Sequence, residues 1–212
     1  MLELYFLRHG QTPSSRSNSF CGGGLDVPLT PEGKEMGEAF AEFYKDMAWN
    51  AIYYSPLERT RVMAEIILGG RDIPMRASEG LREIAYGKWE GKSVEEVDRE
   101  YHDEHISWIA DPAWYPPTDG EQATSVAARA IKVVQAIRDE YEDGKVLIVS
   151  HKATIRIVLC SLIGIDVGRY RYRLSCPTGS VSVVRFQEHG PFIDRIGDRS
   201  HLSDRLKNLP GT

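Results

Sequence analysis

Cysteine is scarce in this chain of 212 residues. Cys21, Cys160 and Cys176 form an odd, widely spaced set with no CxxC among them. That pattern excludes a disulfide framework and a thiolate zinc site, and leaves the three as small buried apolar side chains. No run approaches the roughly 20 apolar residues that a membrane helix requires, and Glu3 stands where a secretory leader would carry basic charge. The expectation is therefore a cytoplasmic protein with no membrane association. Low-complexity tracts and repeats of fixed period are missing too. So is an excess of positive charge: the net charge of −5 argues against general nucleic-acid binding, which needs clustered Lys and Arg. The local exception, RYRYR at residues 169–173, could contact phosphate or RNA but reads more readily as a solvated edge with snorkelling arginines.

What is present suits an ordinary globular protein, with 42% apolar and 27% charged residues and enough length for a full core in a single domain over residues 1–212. Short apolar runs at residues 3–7, 51–55, 145–150 and 180–186 predict buried strands, with 190–196 a weaker candidate. Between them, TPEG from Thr30 supplies an N-cap and a proline at the first helical position, followed by Met36, Phe40, Phe43 and Met47 on one face. Further helices are predicted over 57–68, over 94–109, around Val126, Ala130, Val133, Ile137 and Tyr141, and after His151 with Ile155, Val158, Leu159 and Leu162 inward. Such alternation predicts an α/β fold, a three-layer sandwich with a mainly parallel twisted sheet and helices on both faces. Residues 76–122, rich in Trp, Tyr and Pro, interrupt the rhythm and read as a lid or insertion shaping a pocket.

Parallel sheets bind ligands beyond the carboxyl ends of their strands, where helix N-termini converge. Three predicted strand ends lead into charged groups: Arg8 and His9, then Arg59 shortly after Ser55, then His151. Two guanidiniums and two imidazoles suit a phosphoryl group, whose oxygens accept charge-assisted bonds from Arg. They do not suit a hard metal ion. A neutral imidazole can attack phosphorus and carry the phosphoryl group covalently, and the leaving alcohol then needs a proton. Glu83, between Leu81 and Ile84 and near Trp89, is the candidate donor, in an apolar setting of the kind that suits one.

Rival phosphate chemistries fit less well. His102, Asp103, Glu104 and His105 are ligand types, but four consecutive helical residues cannot all face one metal. No cysteine is followed by Arg at the CxxxxxR distance, and no GxxxxGK[ST] is present.

These residues resemble the histidine phosphatase superfamily, the phosphoglycerate mutase-like group. The likeness is carried by LRHGQT, GLDVPLTPEG, YYSPLERTRVMAEII, LREIAYGKWEG, DGEQATSV and VLIVSHKATIR. It implies a phosphorylated His9, phosphate clamps at Arg8 and Arg59, a second imidazole at His151 and Glu83 as proton donor, with no metal and no cofactor. Thr12, Cys21 and Gly22 fall where the family contacts phosphate or substrate. The pattern departs at Ser15, where the family often has a phosphate-binding Asn, with Asn18 out of register, and at Lys152, where Gly is usual.

The run Glu83-Ile84-Ala85-Tyr86-Gly87 lacks the Arg and His that follow the acid in cofactor-dependent mutases, and no guanidiniums are evident to grip a substrate carboxylate. The resemblance thus implies a hydrolase of small phosphate esters, with a cofactor-dependent phosphoglycerate mutase as the alternative. Trp108, Trp114, Tyr115 and Pro116-Pro117 suggest an aromatic pocket wall, and the pattern leaves a homodimer open.

Overall fold

A computed structural model describes residues 1–211. In chain order it contains β1 (Leu2–Arg8), α1 (Pro13–Ser17), α2 (Pro31–Phe43), β2 (Ala51–Tyr54), α3 (Glu58–Leu68), β3 (Met75–Ala77), α4 (Val94–Glu100), α5 (His102–Ala110), α6 (Ala123–Glu140), β4 (Gly144–Ser150), α7 (Lys152–Ile163), α8 (Tyr170–Arg173), β5 (Val181–Gln187), β6 (Gly190–Asp198) and α9 (Asp204–Lys207). The six strands form one sheet in the order β3-β2-β4-β1-β5-β6. β3, β2, β4 and β1 run parallel, whereas β5 is antiparallel to both β1 and β6, so the sheet is mixed.

Strand alternation divides the core in two. Leu4 and Phe6 of β1 join Val146 and Ile148 under α6 and α7, where Val126, Ala130, Val134 and Ile137 of α6 are buried. Tyr5 and Leu7 point the other way with Leu147 and Val149, against Phe40 of α2 and Met63, Ala64 and Ile67 of α3. A side chain as fully buried as Phe40 contributes about 1.5–3 kcal/mol by removal from water alone. Both faces of the sheet are thus covered by helices, as the alternation predicts.

Three expectations need adjusting, and one strand is new. The helix expected over 94–109 is two: α4 opens on a capping box between Ser93 and Glu96, and Tyr101, at φ −135° and ψ 38°, breaks the chain before α5. β3 is a three-residue edge strand with a polar centre, too short and too polar for its sequence to announce. Phe43 lies outside the buried stripe of α2, at 55% exposure. And RYRYR is a solvated edge only in part: Arg169, Tyr172 and Arg173 are exposed, whereas Tyr170 is buried and Arg171 half-buried where the stretch folds into α8.

The loop after β1 is held by bare backbone. A Cβ on Gly10 would collide with the carbonyl oxygen of Gly33 at the start of α2, and one on Gly33 would collide with that of Gln11. Two glycines let these strips touch, and Thr30, the N-cap of α2, donates to the Gln11 carbonyl across the same contact. Among the described residues no helix is long and apolar enough to cross a membrane.

Candidate active site

β1 and β4 lie side by side at the centre of the sheet, with Arg8 paired to Ser150. The residues after their carboxyl ends, His9 and His151, are therefore neighbours, with ring centroids 5.2 Å apart. β2 borders β4, and the chain leaves it through Ser55 into α3, whose second residue is Arg59. The sequence-predicted Arg, His, Arg and His do converge.

Each group is held in one state. The His9 Nδ1 lies 2.8 Å from the Gly10 carbonyl oxygen, which can only accept, so Nδ1 carries the hydrogen and Nε2 keeps its lone pair. Burial, then the charges of Arg59 and Arg8, hold this imidazole well below its usual pKa, so it is neutral at pH 7. Arg59, 1% exposed, donates from Nε to His151 Nδ1 at 3.2 Å and from its two terminal nitrogens to the carbonyls of Leu25 and Gly22. Because Arg only donates, the His151 hydrogen lies on Nε2, which gives it to Ser55 Oγ at 2.7 Å. Burial, then Arg59, also depresses the His151 pKa. Arg8 donates to the Cys176 carbonyl at 2.8 Å, and burial lowers its pKa to about 10, which leaves it charged at neutral pH.

Glu83 sits in a setting different from the apolar one its neighbours in sequence suggest. One carboxylate oxygen accepts from the Ile84 and Thr154 N–H groups and the Thr154 hydroxyl, and the other accepts from the Ala153 N–H. His151, the N-cap residue of α7, makes no side-chain cap bond, and Glu83 caps the helix from outside instead. Its backbone is fixed in turn by Arg129, which donates to the carbonyl oxygens of Gly80 and Glu83.

These groups open onto a cavity of about 320 Å³ lined by Arg8, His9, Arg59 and Glu83. His151 does not line it and backs His9 from behind. Of the other predicted contacts, Thr12, Ser15, Cys21 and Lys152 line the cavity, as does Asn18. The Thr12 and Ser15 hydroxyls cap α1 in a reciprocal pair. Gly22 is not on the lining. It is required because a Cβ there would crowd the backbone of Ile84 and Tyr86, and its carbonyl anchors Arg59. Burial raises the Cys21 thiol above its usual pKa, which disfavours a thiolate.

The rest of the wall is aromatic and cationic: Phe20, Tyr86, Trp108 and Tyr170, with Arg156 and Arg171. The sequence names Trp108, and Arg171 within RYRYR as a possible phosphate contact, but gives no sign of Arg156. Arg156 stands four residues after Lys152 on one face of α7, a spacing that does not by itself tell a cavity from solvent. Trp114 and Tyr115 are instead exposed, at 62% and 56%. Burial, then the guanidiniums of Arg8 and Arg156, push Lys152 down to about 7. The His102 to His105 run lies elsewhere: both imidazoles approach Asp98, and His105 packs edge-on against Trp89. Among the described residues, no three His, Cys, Asp or Glu side chains converge as a metal site needs.

Comparison with known proteins adds four findings. A family model described as the histidine phosphatase superfamily (branch 1) matches residues 4–199. The chain is 27% identical to phosphoserine phosphatase 1 of Hydrogenobacter thermophilus over 204 residues, 96% of each chain. It is 30% identical to an uncharacterised phosphatase, PhoE, of Bacillus subtilis over 207 residues, 98% of this chain and all of that one. Among solved structures, YhfR of Bacillus stearothermophilus superimposes with a TM-score of 0.88 at 30% identity, covering 95% of this chain and 99% of that one.

Proposed function

The chain belongs to the histidine phosphatase superfamily, and on that premise we propose that it hydrolyses small phosphomonoesters through a phosphohistidine formed on His9. The observation that carries this reading is the neutral His9 ring, its Nδ1 committed to the Gly10 carbonyl, standing in one cavity with Arg8 and Arg59. In the first step the Nε2 lone pair forms a bond to phosphorus while the phosphorus–oxygen ester bond breaks, and Glu83 gives its proton to the departing alkoxide. In the second, the Glu83 carboxylate takes a proton from water, whose oxygen displaces His9 and releases inorganic phosphate. Arg8 and Arg59 offset the charge on the equatorial oxygens throughout, in a site shielded from solvent. His151 acts one layer back: it holds Arg59 and lies against the His9 ring.

No step needs a metal, because the guanidiniums occupy the electrostatic role a divalent cation would otherwise take. The segment 76–122 supplies Glu83, Tyr86, Val94 and Trp108 to the lining, which supports its reading as the wall over substrate.

Rapid-quench labelling with a phosphate-labelled ester tests the mechanism. The expected result is an acid-labile adduct on His9 that is absent from His9→Ala, with full turnover in EDTA. Hydrolysis at undiminished rate in His9→Ala overturns it.

A second reading, phosphoryl transfer between hydroxyls of phosphoglycerate, is favoured by one observation. The sequence reading found no guanidiniums to grip a substrate carboxylate, whereas Arg156 and Arg171 line the cavity. Product analysis with 3-phosphoglycerate decides between the two. Release of phosphate is expected, and 2-phosphoglycerate formation that outpaces it and depends on bisphosphoglycerate would establish the mutase.

A further inference from the structure

Beyond the clamp around His9, the same cavity carries three more cations: Lys152 and Arg156, one helical turn apart on α7, and Arg171 on α8. Among the described residues none of the three forms an ion pair, and Glu83, the only acidic side chain on the lining, is taken up by the start of α7. The Arg156 Nε and one terminal nitrogen of Arg171 are buried without a hydrogen-bond partner. Arg171 is nonetheless placed: its guanidinium lies 3.8 Å from the centroid of the Trp108 ring.

The charges do not balance on a simple phosphomonoester. Arg8 and Arg59 already offset the two negative charges of the reacting phosphoryl group. Three further cations gathered on one wall repel one another, and buried guanidinium N–H groups without acceptors are costly. Both costs are relieved by an anion seated between them.

We propose that Lys152, Arg156 and Arg171 form a subsite for a second oxyanion, a carboxylate or a phosphate, carried on the same small substrate as the phosphoryl group that His9 attacks. This deepens the phosphatase reading and rests on it. The planar guanidinium forks match either oxyanion in a bidentate manner. At about 320 Å³ the cavity lies at the lower end of the range of roughly 300–1,000 Å³ usual for ligand sites, which suits a small metabolite. The half-neutral state of Lys152 fits as well, because an arriving anion restores its full charge.

Two measurements on the full chain test this. The first compares kcat/KM for phenyl phosphate and glycerol 3-phosphate, with one anionic group, against phosphoserine and 3-phosphoglycerate, with an added carboxylate, and fructose 1,6-bisphosphate, with an added phosphate. Wild type is expected to favour one of the two-anion arms, and the favoured arm identifies the second oxyanion. In Arg156→Gln and Arg171→Gln that preference ratio is expected to fall about tenfold or more, chiefly through KM, with partial recovery in Arg156→Lys. The second measures calorimetric binding of the same esters to His9→Ala, with and without Arg156→Gln, and stands whether or not turnover occurs. Loss of affinity confined to two-anion esters supports the subsite. A wild-type preference for single-anion esters, or equal losses in both classes, overturns it. If no ester is hydrolysed in a His9-dependent manner, the phosphatase reading fails, and the calorimetry alone then judges the subsite.

Discussion

The floor of the cavity and its wall are built on opposite plans. On the floor, His9, Arg59, His151 and Glu83 have their orientations set by named partners: backbone carbonyls, the N–H groups of α7, and one another. On the wall, Lys152, Arg156 and Arg171 share one sign of charge, and two buried guanidinium nitrogens lack acceptors. A preorganised floor needs no rearrangement as charge develops during reaction, which is how polar groups lower a barrier. An unsatisfied wall gains most when a ligand completes it. The difference teaches that the floor suits chemistry common to many esters, while the wall discriminates among them.

The sharpest way to test that division is His9→Ala, which should lower kcat/KM on the order of 10⁴-fold or more on every ester alike, measured by phosphate release. A loss that depended strongly on the ester would blur the line between floor and wall. Next in size is Glu83→Gln, expected to reduce kcat about 10²–10⁴-fold for alkyl esters. The loss should be much smaller for p-nitrophenyl phosphate, whose leaving group needs no proton. A flat dependence on leaving group would remove Glu83 as donor.

The floor also predicts acid sensitivity. His9 and His151 stay neutral in the folded state, while their unfolded counterparts take up protons below about pH 6.5. Stability is therefore full above that value and falls as pH drops below it, by at most about 1.4 kcal/mol per pH unit for each imidazole. His201, buried and lowered to about 4, adds the same sign from outside the site. Urea titrations at pH 7 and pH 5 should show the decline, and His9→Asn should make it shallower.

The last effect belongs to the wall and has the same sense, stability again rising with pH. A lysine held at about 7 against an ordinary 10.5 penalises folding fully below pH 7, and the penalty fades as pH rises to 10.5. Lys152→Met should thus raise Tm near pH 6.5 and leave it unchanged near pH 10.5. An unchanged or lower Tm at pH 6.5 would mean the wall carries no such strain.

The floor was more legible than the wall because its residues follow apolar strands at fixed offsets, and strand ends in a parallel sheet meet at one edge. Arg8, His9 and His151 could be placed from that rule alone. Arg156 and Arg171 could not: an arginine amid the apolar residues of α7, or in a short run of Arg and Tyr, looks the same whether it faces water or a cavity. The setting of Glu83 was hidden for another reason. Leu81 and Ile84 are its neighbours in sequence, but the N–H groups that surround it come largely from α7, some 70 residues later. β3 escaped notice because its pairing with β2 owes little to its own three side chains.

The facing glycines at positions 10 and 33 set a rule for anyone wishing to graft this reaction centre onto another scaffold or to diversify it in a library. The nucleophile's loop is seated by two uncovered stretches of main chain pressed together, so no choice of side chain at either position can substitute for the contact. A donor scaffold must offer the opposing helix start along with the loop, and variation is better directed to the cationic side, where the surface has room to change.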